Sequence, residues 1–216
     1  MTADPSLKRR GRPLKVLAGD GNAREALIRT GVAALTAKGF TATGLDEILR
    51  TAGVPKGSFY HYFDSKDAFG AELIRRYAEY FASRLERFFA DRTLSPLAQL
   101  DAFTRDAEAS MQRHGFSRGC LVGNLGQEMG ALPESYRTLI NGVFADWQRR
   151  TSACLRRAQG IGEIATHHDA DRLAAFFWIG WEGAVLRAKL ERSGEALRTF
   201  ADGFFAMIRI EGRDRA

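Results

Sequence analysis

Hydrogen-bond donors cluster between residues 54 and 63, where they could bind DNA. Such donors reach phosphate oxygens and base edges, and a glycine among them lets the backbone come close. The candidate donor positions, including one just beyond the cluster, are Lys56, Gly57, Ser58, Tyr60, His61 and Lys66. Val54, Phe59 and Phe63 would anchor the same stretch to a core. The pattern predicts a very short helix that fits a major groove, with a surface turn between longer helices as the alternative.

A second chemical pattern lies in a glycine-rich segment and in a tryptophan-rich helix further along the chain. Their polar and aromatic side chains recur at helical spacing: Cys120, Asn124 and Glu128 in the segment, and Trp178, Trp181, Glu182 and Lys189 in the helix. If the two elements face each other, they enclose a small cavity with an aromatic floor, one cation and one thiol. Lys189 would then bind a carboxylate, or it would lower the pKa of the Cys120 thiol and make the thiol reactive.

Plain structural roles for these residues stay open. A free cysteine is most often a small buried hydrophobe, and tryptophans at helical spacing often belong to a core. A buried Glu182 would need a partner, which Lys189 or an arginine could supply. The glycines still favour room for a ligand or close packing, because each costs roughly 1 kcal/mol in a helix relative to alanine.

Three predicted helices position the candidate DNA-binding residues. The first runs from about residue 22 to 38, and the second from 44 to 52, with Thr43 as its N-cap and as a further candidate DNA contact. Gly53 ends the second helix in the position where a left-handed conformation is needed, and the donor cluster follows. Helix, glycine-containing turn and short helix form a helix-turn-helix pattern. Ser65 then caps a long helix that links this head to the rest of the chain.

The order of motifs in this region is long and specific. It comprises Lys38-Gly39-Phe40, then Thr43 through Gly53, then Gly57-Ser58-Phe59-Tyr60-His61-Tyr62-Phe63, then Ser65-Lys66. With these motifs, residues 22–69 resemble the TetR family of one-component transcriptional regulators. The resemblance implies an all-α homodimer that binds a palindromic operator and releases it when a small ligand binds the second domain. The domains that we expect are a flexible basic arm at 1–20, a helix-turn-helix DNA-binding domain at 21–66 and an effector-binding and dimerisation domain at 67–216.

The first fifteen residues carry five basic side chains and one acidic side chain. Arg10, Gly11, Arg12 and Pro13 resemble the core of an AT-hook, a peptide that lies in the minor groove of DNA. Gly11 lets the backbone lie flat, and Pro13 keeps it extended. We therefore expect Arg10 and Arg12 to bind DNA, with a solvated tail as the alternative.

Composition narrows the class of protein further. The chain has 216 residues, a net charge of +6 and 45% hydrophobic residues, and no apolar run approaches the ~20 residues of a membrane span. Two cysteines without an export signal lead us to expect free thiols and a cytoplasmic location. We see no catalytic triad, metal-ligand cluster or phosphate loop, so we expect no enzyme, no metal and no cofactor. An architectural DNA-binding protein without an effector is an alternative.

A second resemblance indicates the class of effector. Residues 118–133, residues 177–184 and Ala188-Lys189 are similar to acrylate-responsive repressors of the TetR family. Gly119-Cys120-Leu121 and Ala188-Lys189 are similar, more distantly, to members that sense N-ethylmaleimide and hypochlorite through a cysteine, but residues 127–130 depart from these. The resemblance implies a repressor that is released by a small unsaturated carboxylate such as acrylate. A cysteine-based sensor of electrophiles or oxidants is the alternative.

For the mechanism we expect reversible binding, because the glycine-rich segment fits room for a ligand better than activation of a thiol. The effect should reach the DNA through the long helix that starts at Lys66. Its tilt sets the spacing of the two recognition helices of a dimer, which must match ~34 Å, one turn of DNA.

Overall fold

This computed structural model describes residues 20–210, and that part of the chain contains nine α-helices. In chain order they are α1 Asp20–Lys38, α2 Leu45–Ala52, α3 Lys56–Tyr62, α4 Lys66–Phe89, α5 Pro96–Arg113, α6 Leu121–Gln127, α7 Glu134–Gly160, α8 Ala170–Glu191 and α9 Glu195–Ile208. Residues 20–210 contain no strand, only an isolated bridge between Ile164 and Arg209. The prediction of an all-α fold is therefore confirmed.

The first three helices form a helix-turn-helix head. Gly53 ends α2 with a φ of 68°, a left-handed conformation that favours glycine over other residues. On the seven-residue α3, Phe59 is fully buried, and its ring lies 5.4 Å from the ring of Phe69 in α4. Val54 and Phe63 are buried as well, so one face of α3 anchors it to the head, as the sequence pattern predicts.

One residue of the head departs from its predicted role. Thr43 is fully buried, and its hydroxyl donates to the Gly39 carbonyl at 2.6 Å. Gly44 holds the N-cap position of α2 without a side-chain hydrogen bond. The Thr43 side chain therefore neither caps α2 nor faces DNA, and both predictions for it are wrong. Its hydroxyl instead satisfies a carbonyl that the end of α1 leaves without a helical partner.

The helix α4 starts at Lys66, as the sequence predicts, and runs from the head into the C-terminal helices. Ser65 caps it, because its Oγ accepts a hydrogen bond from the Ala68 N–H at 2.9 Å. Further along, the ring of Phe81 lies 4.2 Å from Trp147, and Trp147 lies 4.8 Å from Trp178. Burying large apolar side chains contributes roughly 1.5–3 kcal/mol each, so this aromatic core fixes α4 against α7 and α8.

The helices α8 and α9 present an apolar outer face. Large hydrophobic side chains on this face are 46–76% exposed: Phe176, Ile179, Leu186 and Leu190 of α8, and Met207 of α9. An exposed apolar surface of this kind is typical of a protein–protein interface. Within residues 20–210, no helix is long and apolar enough to cross a membrane.

Candidate functional site

The outer face of α3 presents the donors that the sequence assigns to DNA. All of them reach the surface: Lys56, Gly57, Tyr60 and His61 are exposed, and Ser58 is half-buried. The Lys56 Nζ lies 3.1 Å from a carboxylate oxygen of Asp46, but the two side chains are 62% and 76% exposed. Such a surface pair contributes little, so Lys56 remains available to a phosphate. The face is therefore open to a DNA groove.

Lys66 makes a contact that the sequence does not predict. Its Nζ donates to the Phe40 carbonyl at 3.2 Å and lies 4.4 Å from the centre of the Phe40 ring. The cation thus holds the turn after α1 against the start of α4, besides any contact with a phosphate. Two other predicted DNA contacts, Arg10 and Arg12, lie outside the described residues.

A pocket of about 980 Å³ lies between α1, α2, α4, α5, α8 and the loop that precedes α6. Three of the predicted effector residues, Cys120, Trp181 and Glu182, line it. Tyr77 of α4 lines it as well, and its hydroxyl interacts with Cys120 and with the charge of Glu182. We call Tyr77, Cys120 and Glu182 the polar end of the pocket.

Trp178 does not line the pocket. It is buried in the aromatic core, where its Nε1 donates to the Thr151 hydroxyl at 3.0 Å. Its indole is therefore a satisfied core side chain, and the prediction of an effector contact at Trp178 is wrong.

Asn124 and Glu128 also lie away from the pocket lining, because α6 packs its polar side chains against the end of α1. The Asn124 Nδ2 donates to two carbonyls in the last turns of α1, at 2.9 Å each. The Glu128 carboxylate accepts hydrogen bonds from the Phe40 N–H at 3.1 Å, the Thr41 N–H at 2.7 Å and the Thr41 hydroxyl at 2.6 Å. Asn124 and Glu128 of the predicted polar stripe thus link α6 to the head, and their assignment to the effector stays a prediction.

Lys189 lies outside the pocket lining too. Its Cδ is 3.5 Å from the point where a Cβ on Gly119 would stand, and its charge interacts with Glu128. Burial lowers the pKa of Lys189, and the Glu128 carboxylate opposes that shift. That Lys189 supplies a cation to the effector stays a prediction, and its position beside Gly119 and Glu128 leaves it outside the pocket lining.

Cys120 occupies the N-cap position of α6, where its Sγ accepts a hydrogen bond from the Gly123 N–H at 3.4 Å. Burial raises the pKa of the Cys120 thiol well above its usual value, and the negative charge of Glu182 raises it further. The thiol is consequently neutral near pH 7, and the prediction of a lowered thiol pKa is wrong. A neutral thiol is a poor nucleophile and a weak hydrogen-bond donor.

Glu182 extends from α8 over the backbone of α6 at Gly123. A Cβ on Gly123 would overlap the Glu182 Oε2 and would stand 3.4 Å from the Cys120 Cβ, so glycine leaves room for both groups. Burial raises the pKa of Glu182 to about 7, and a hydrogen bond with Cys120 opposes the shift. Among residues 20–210, no lysine or arginine forms an ion pair with Glu182. Among the described residues, Glu182 therefore lacks the cationic partner that we expect. The glycine at position 123 is explained by the room that the Glu182 carboxyl and the Cys120 side chain need.

Tyr77 is a pocket residue that sequence reasoning does not single out. Burial raises the pKa of Tyr77 well above its usual value, and the charges of Cys120 and Glu182 add to the shift. Its hydroxyl is therefore a neutral donor. The sequence does contain a signal for this residue, since Tyr77 stands among the apolar residues of α4. A tyrosine hydroxyl that packs into a core needs a hydrogen-bond partner, and this need indicates a polar group nearby.

Two family models match the chain. Residues 27–73 match "Bacterial regulatory proteins, tetR family", and residues 96–204 match "Tetracyclin repressor-like, C-terminal domain". The chain belongs to the TetR family. The first match contains α2 and α3, and the second contains the whole of α6, α7 and α8.

Relatives and solved structures agree with membership in the TetR family. The chain is 55% identical to the transcriptional regulator AcuR from Cereibacter sphaeroides, over 93% of this chain and 91% of AcuR. It is 33% identical to the HTH-type transcriptional repressor NemR from Escherichia coli strain K12, over 81% and 87% of the two chains. The crystal structure of regulatory protein TetR from Rhodobacter sphaeroides has a TM-score of 0.85 at 55% identity, covering 86% of this chain and 98% of that one. Reduced E. coli NemR gives 0.81 at 30% identity, covering 89% and 99%.

Membership in the TetR family confirms that the chain is a DNA-binding transcriptional regulator and not an enzyme. In this TetR-family chain, one short helix joins the two candidate sites. The N-cap of α6, Cys120, lines the pocket, and its C-cap, Glu128, binds the backbone just after α1. The pocket wall at Cys120 is therefore eight residues away from the contact of Glu128 with the head.

Proposed function

We propose that the chain is a ligand-responsive transcriptional repressor that acts as a homodimer in the cytoplasm. It binds a palindromic operator and releases it when a small unsaturated carboxylate, such as acrylate, enters the pocket. The observation that carries the proposal is the pocket wall itself, since α6 borders the pocket at Cys120 and holds the head through Glu128. The similarity of residues 118–133 to acrylate-responsive repressors supplies the class of effector.

The parts of the chain divide this work. Residues 21–66 bind the operator through the exposed face of α3, and the basic arm at 1–20 lies in a neighbouring minor groove. Residues 67–216 hold the effector and form the dimer. The apolar outer face of α8 and α9 supports a symmetric dimer, because burying apolar surface contributes roughly 25 cal/mol per Å².

Effector binding acts on the head through two helices. A ligand at the polar end touches Tyr77 on α4 and Cys120 at the start of α6. A shift of α6 moves the backbone that Glu128 holds, and a tilt of α4 moves the head directly. Either movement changes the spacing of the two recognition helices away from ~34 Å, so the dimer loses one half-site.

Reversible binding is the form that the pocket supports, because the Cys120 thiol is neutral. The test is fluorescence anisotropy of a labelled operator with wild type and Cys120→Ser, titrated with sodium acrylate. Sodium acetate at the same concentration controls for ionic strength. Acrylate should lower the operator affinity of both proteins. An operator affinity of wild type that acrylate leaves unchanged would contradict the proposed effector.

Covalent sensing of electrophiles is the second candidate, favoured by the position of Cys120 in the pocket and by the similarity to NemR. It predicts that Cys120→Ser no longer responds and that mass spectrometry detects an adduct on wild type. The third candidate is an architectural DNA-binding protein. It predicts that no small unsaturated carboxylate or electrophile raises the melting temperature, whereas a bound effector would raise it.

A further inference from the structure

Three protonatable groups from three different elements meet at the polar end of the pocket. Glu182 comes from α8, Tyr77 from α4, and Cys120 from the N-cap of α6. The Glu182 Oε2 and the Cys120 Cβ both lie beside the backbone of Gly123, and the charge of Glu182 acts on Tyr77 and on Cys120. A half-buried carboxyl group thus faces the space that we assign to a carboxylate effector.

The charges around this pocket leave Glu182 without a compensating cation. The charged or titratable groups that line the rest of it are Glu25 and Arg29 of α1, Glu47 of α2, Arg76, Tyr80 and Arg84 of α4, His114 after α5, and Arg118 before α6. Arg76 pairs with Glu25 at 2.6 Å, and Arg84 pairs with Asp106 at 2.6 Å. Burial and the Cys120 thiol account for the pKa of Glu182, to which none of these cations contributes. On its own helix, Lys189 interacts with Glu128 instead.

An anionic effector at this end would meet a second carboxylate in a site largely shielded from water. Two carboxylates that share such a site do not both stay ionised, because like charges raise one pKa strongly. A single proton shared between the two carboxylates removes the repulsion, and the two groups then form a short, charge-assisted hydrogen bond. Tyr77 and Cys120, both neutral, can donate further hydrogen bonds to the same anion.

We propose that Glu182 is the residue that selects the effector, by holding the effector's carboxylate through one shared proton. This inference rests on the function proposed above and names the group that recognises the effector. The proton resides on Glu182 before binding when the pH is low, and it comes from the solvent when the pH is high. The pocket accordingly prefers a small carboxylic acid to a neutral electrophile of the same size.

The pH dependence follows in sign and in range. The free protein holds Glu182 with a pKa of about 7, and a bound carboxylate raises that pKa further. Acrylate affinity is therefore fully present below pH 7 and falls as the pH rises, by roughly tenfold for each pH unit above 7. At pH 8, binding takes up close to one proton for each acrylate, and at pH 6 it takes up little.

Titration calorimetry of the full chain with acrylate, in phosphate and in Tris buffer, measures this proton directly. The two buffers differ in ionisation heat, so the difference between the two binding heats gives the number of protons taken up. Uptake near one at pH 8 and near zero at pH 6 supports the proposal. Acrylate binding at pH 8 without proton uptake overturns it, and leaves the proposed effector intact. Absence of acrylate binding at both pH values overturns the proposed function as well.

A matched pair of variants tests the residue itself. Glu182→Gln keeps a donor of the same shape without a titrating group, so its acrylate affinity should be independent of pH and about tenfold tighter than that of wild type at pH 8. Glu134→Gln changes an exposed carboxylate at the start of α7 and should follow wild type. A pH dependence that persists in Glu182→Gln overturns the proposal. Binding of tetramethylammonium to wild type is a second test. Affinity for tetramethylammonium that rises with pH would also overturn the proposal, because Glu182 would then act as a counter-ion for cations.

Discussion

On the outer face of α3 the candidate binding groups point into water, whereas at the polar end of the pocket they point at one another. Lys56, Tyr60 and His61 are exposed, and the ion pair of Lys56 with Asp46 is a weak surface pair. Cys120 is buried, Tyr77 and Glu182 are half-buried, and loss of water around each group is the first cause of its pKa shift. DNA is a polyanion whose binding to a protein releases counterions, so donors on an exposed protein surface are sufficient to bind it.

The comparison shows why the two sites depend on pH and salt differently. Binding at α3 should weaken with added salt, because phosphate contacts release counterions. Binding at the polar end should respond to pH, because it depends on one proton on Glu182. The helix α6 belongs to both regions, so variants along it separate the two kinds of binding.

The largest expected effect comes from cutting the link between the two regions. Glu128→Ala removes the acceptor of two backbone N–H groups and of the Thr41 hydroxyl, which should lower the free energy of unfolding by about 2 kcal/mol. Acrylate should still bind, but it should lower operator affinity less than in wild type, because only α4 then carries the movement to the head. Thermal melts and operator anisotropy with and without acrylate measure the two effects.

Gln127→Ala is the control for this link, because Gln127 is the exposed neighbour and bonds only within α6, to the Gly123 carbonyl. Glu128→Gln provides a milder change of the link if the alanine variant does not fold. A Glu128→Ala protein that melts like wild type and loses operator affinity with acrylate as fully as wild type would show that α6 does not couple the sites.

A smaller effect is expected inside the pocket at Gly123. In Gly123→Ala the new Cβ displaces the Glu182 carboxyl, so acrylate affinity should fall at least about tenfold, or about 1.4 kcal/mol. Gly126→Ala is the matched control on the same helix, since a Cβ there meets nothing within 4 Å. That control should bind acrylate like wild type and gain up to about 1 kcal/mol of helix stability. Equal acrylate affinities in the two variants would refute the placement of Glu182.

The sequence predicts the head well because its signals are local. The apolar spacing of Val54, Phe59 and Phe63 defines the buried face of α3, and Gly53 and Ser65 mark helix ends through chemistry within a few residues. Thr43 is the exception. A hydroxyl before a helix predicts a cap, but the carbonyl at the end of α1 is nearer and takes the hydrogen bond.

The sequence predicts the pocket only in part. Helical spacing shows which residues share one face of a helix, but it does not show which other helix packs against that face. Cys120, Trp181 and Glu182 line the pocket as expected. Asn124, which shares the spacing of Cys120, meets α1 instead. Tyr77 lies in a helix about forty residues before Cys120 in the sequence. Only tertiary packing brings Tyr77 and Cys120 into the same pocket.

The smallest expected effect is on the exposed side of the comparison. Tyr60→Ala should weaken operator binding by about 1 kcal/mol, roughly fivefold, because it removes one aromatic donor from an open face. Tyr60→Phe separates the hydroxyl from the ring. Since Tyr60 lies outside the pocket lining, acrylate affinity and its pH dependence should stay at wild-type values in both variants, and sizing chromatography should show an unchanged assembly. Undiminished operator binding by Tyr60→Ala would remove α3 as the recognition helix, and an equal loss in acrylate affinity would mean that the two regions do not bind independently.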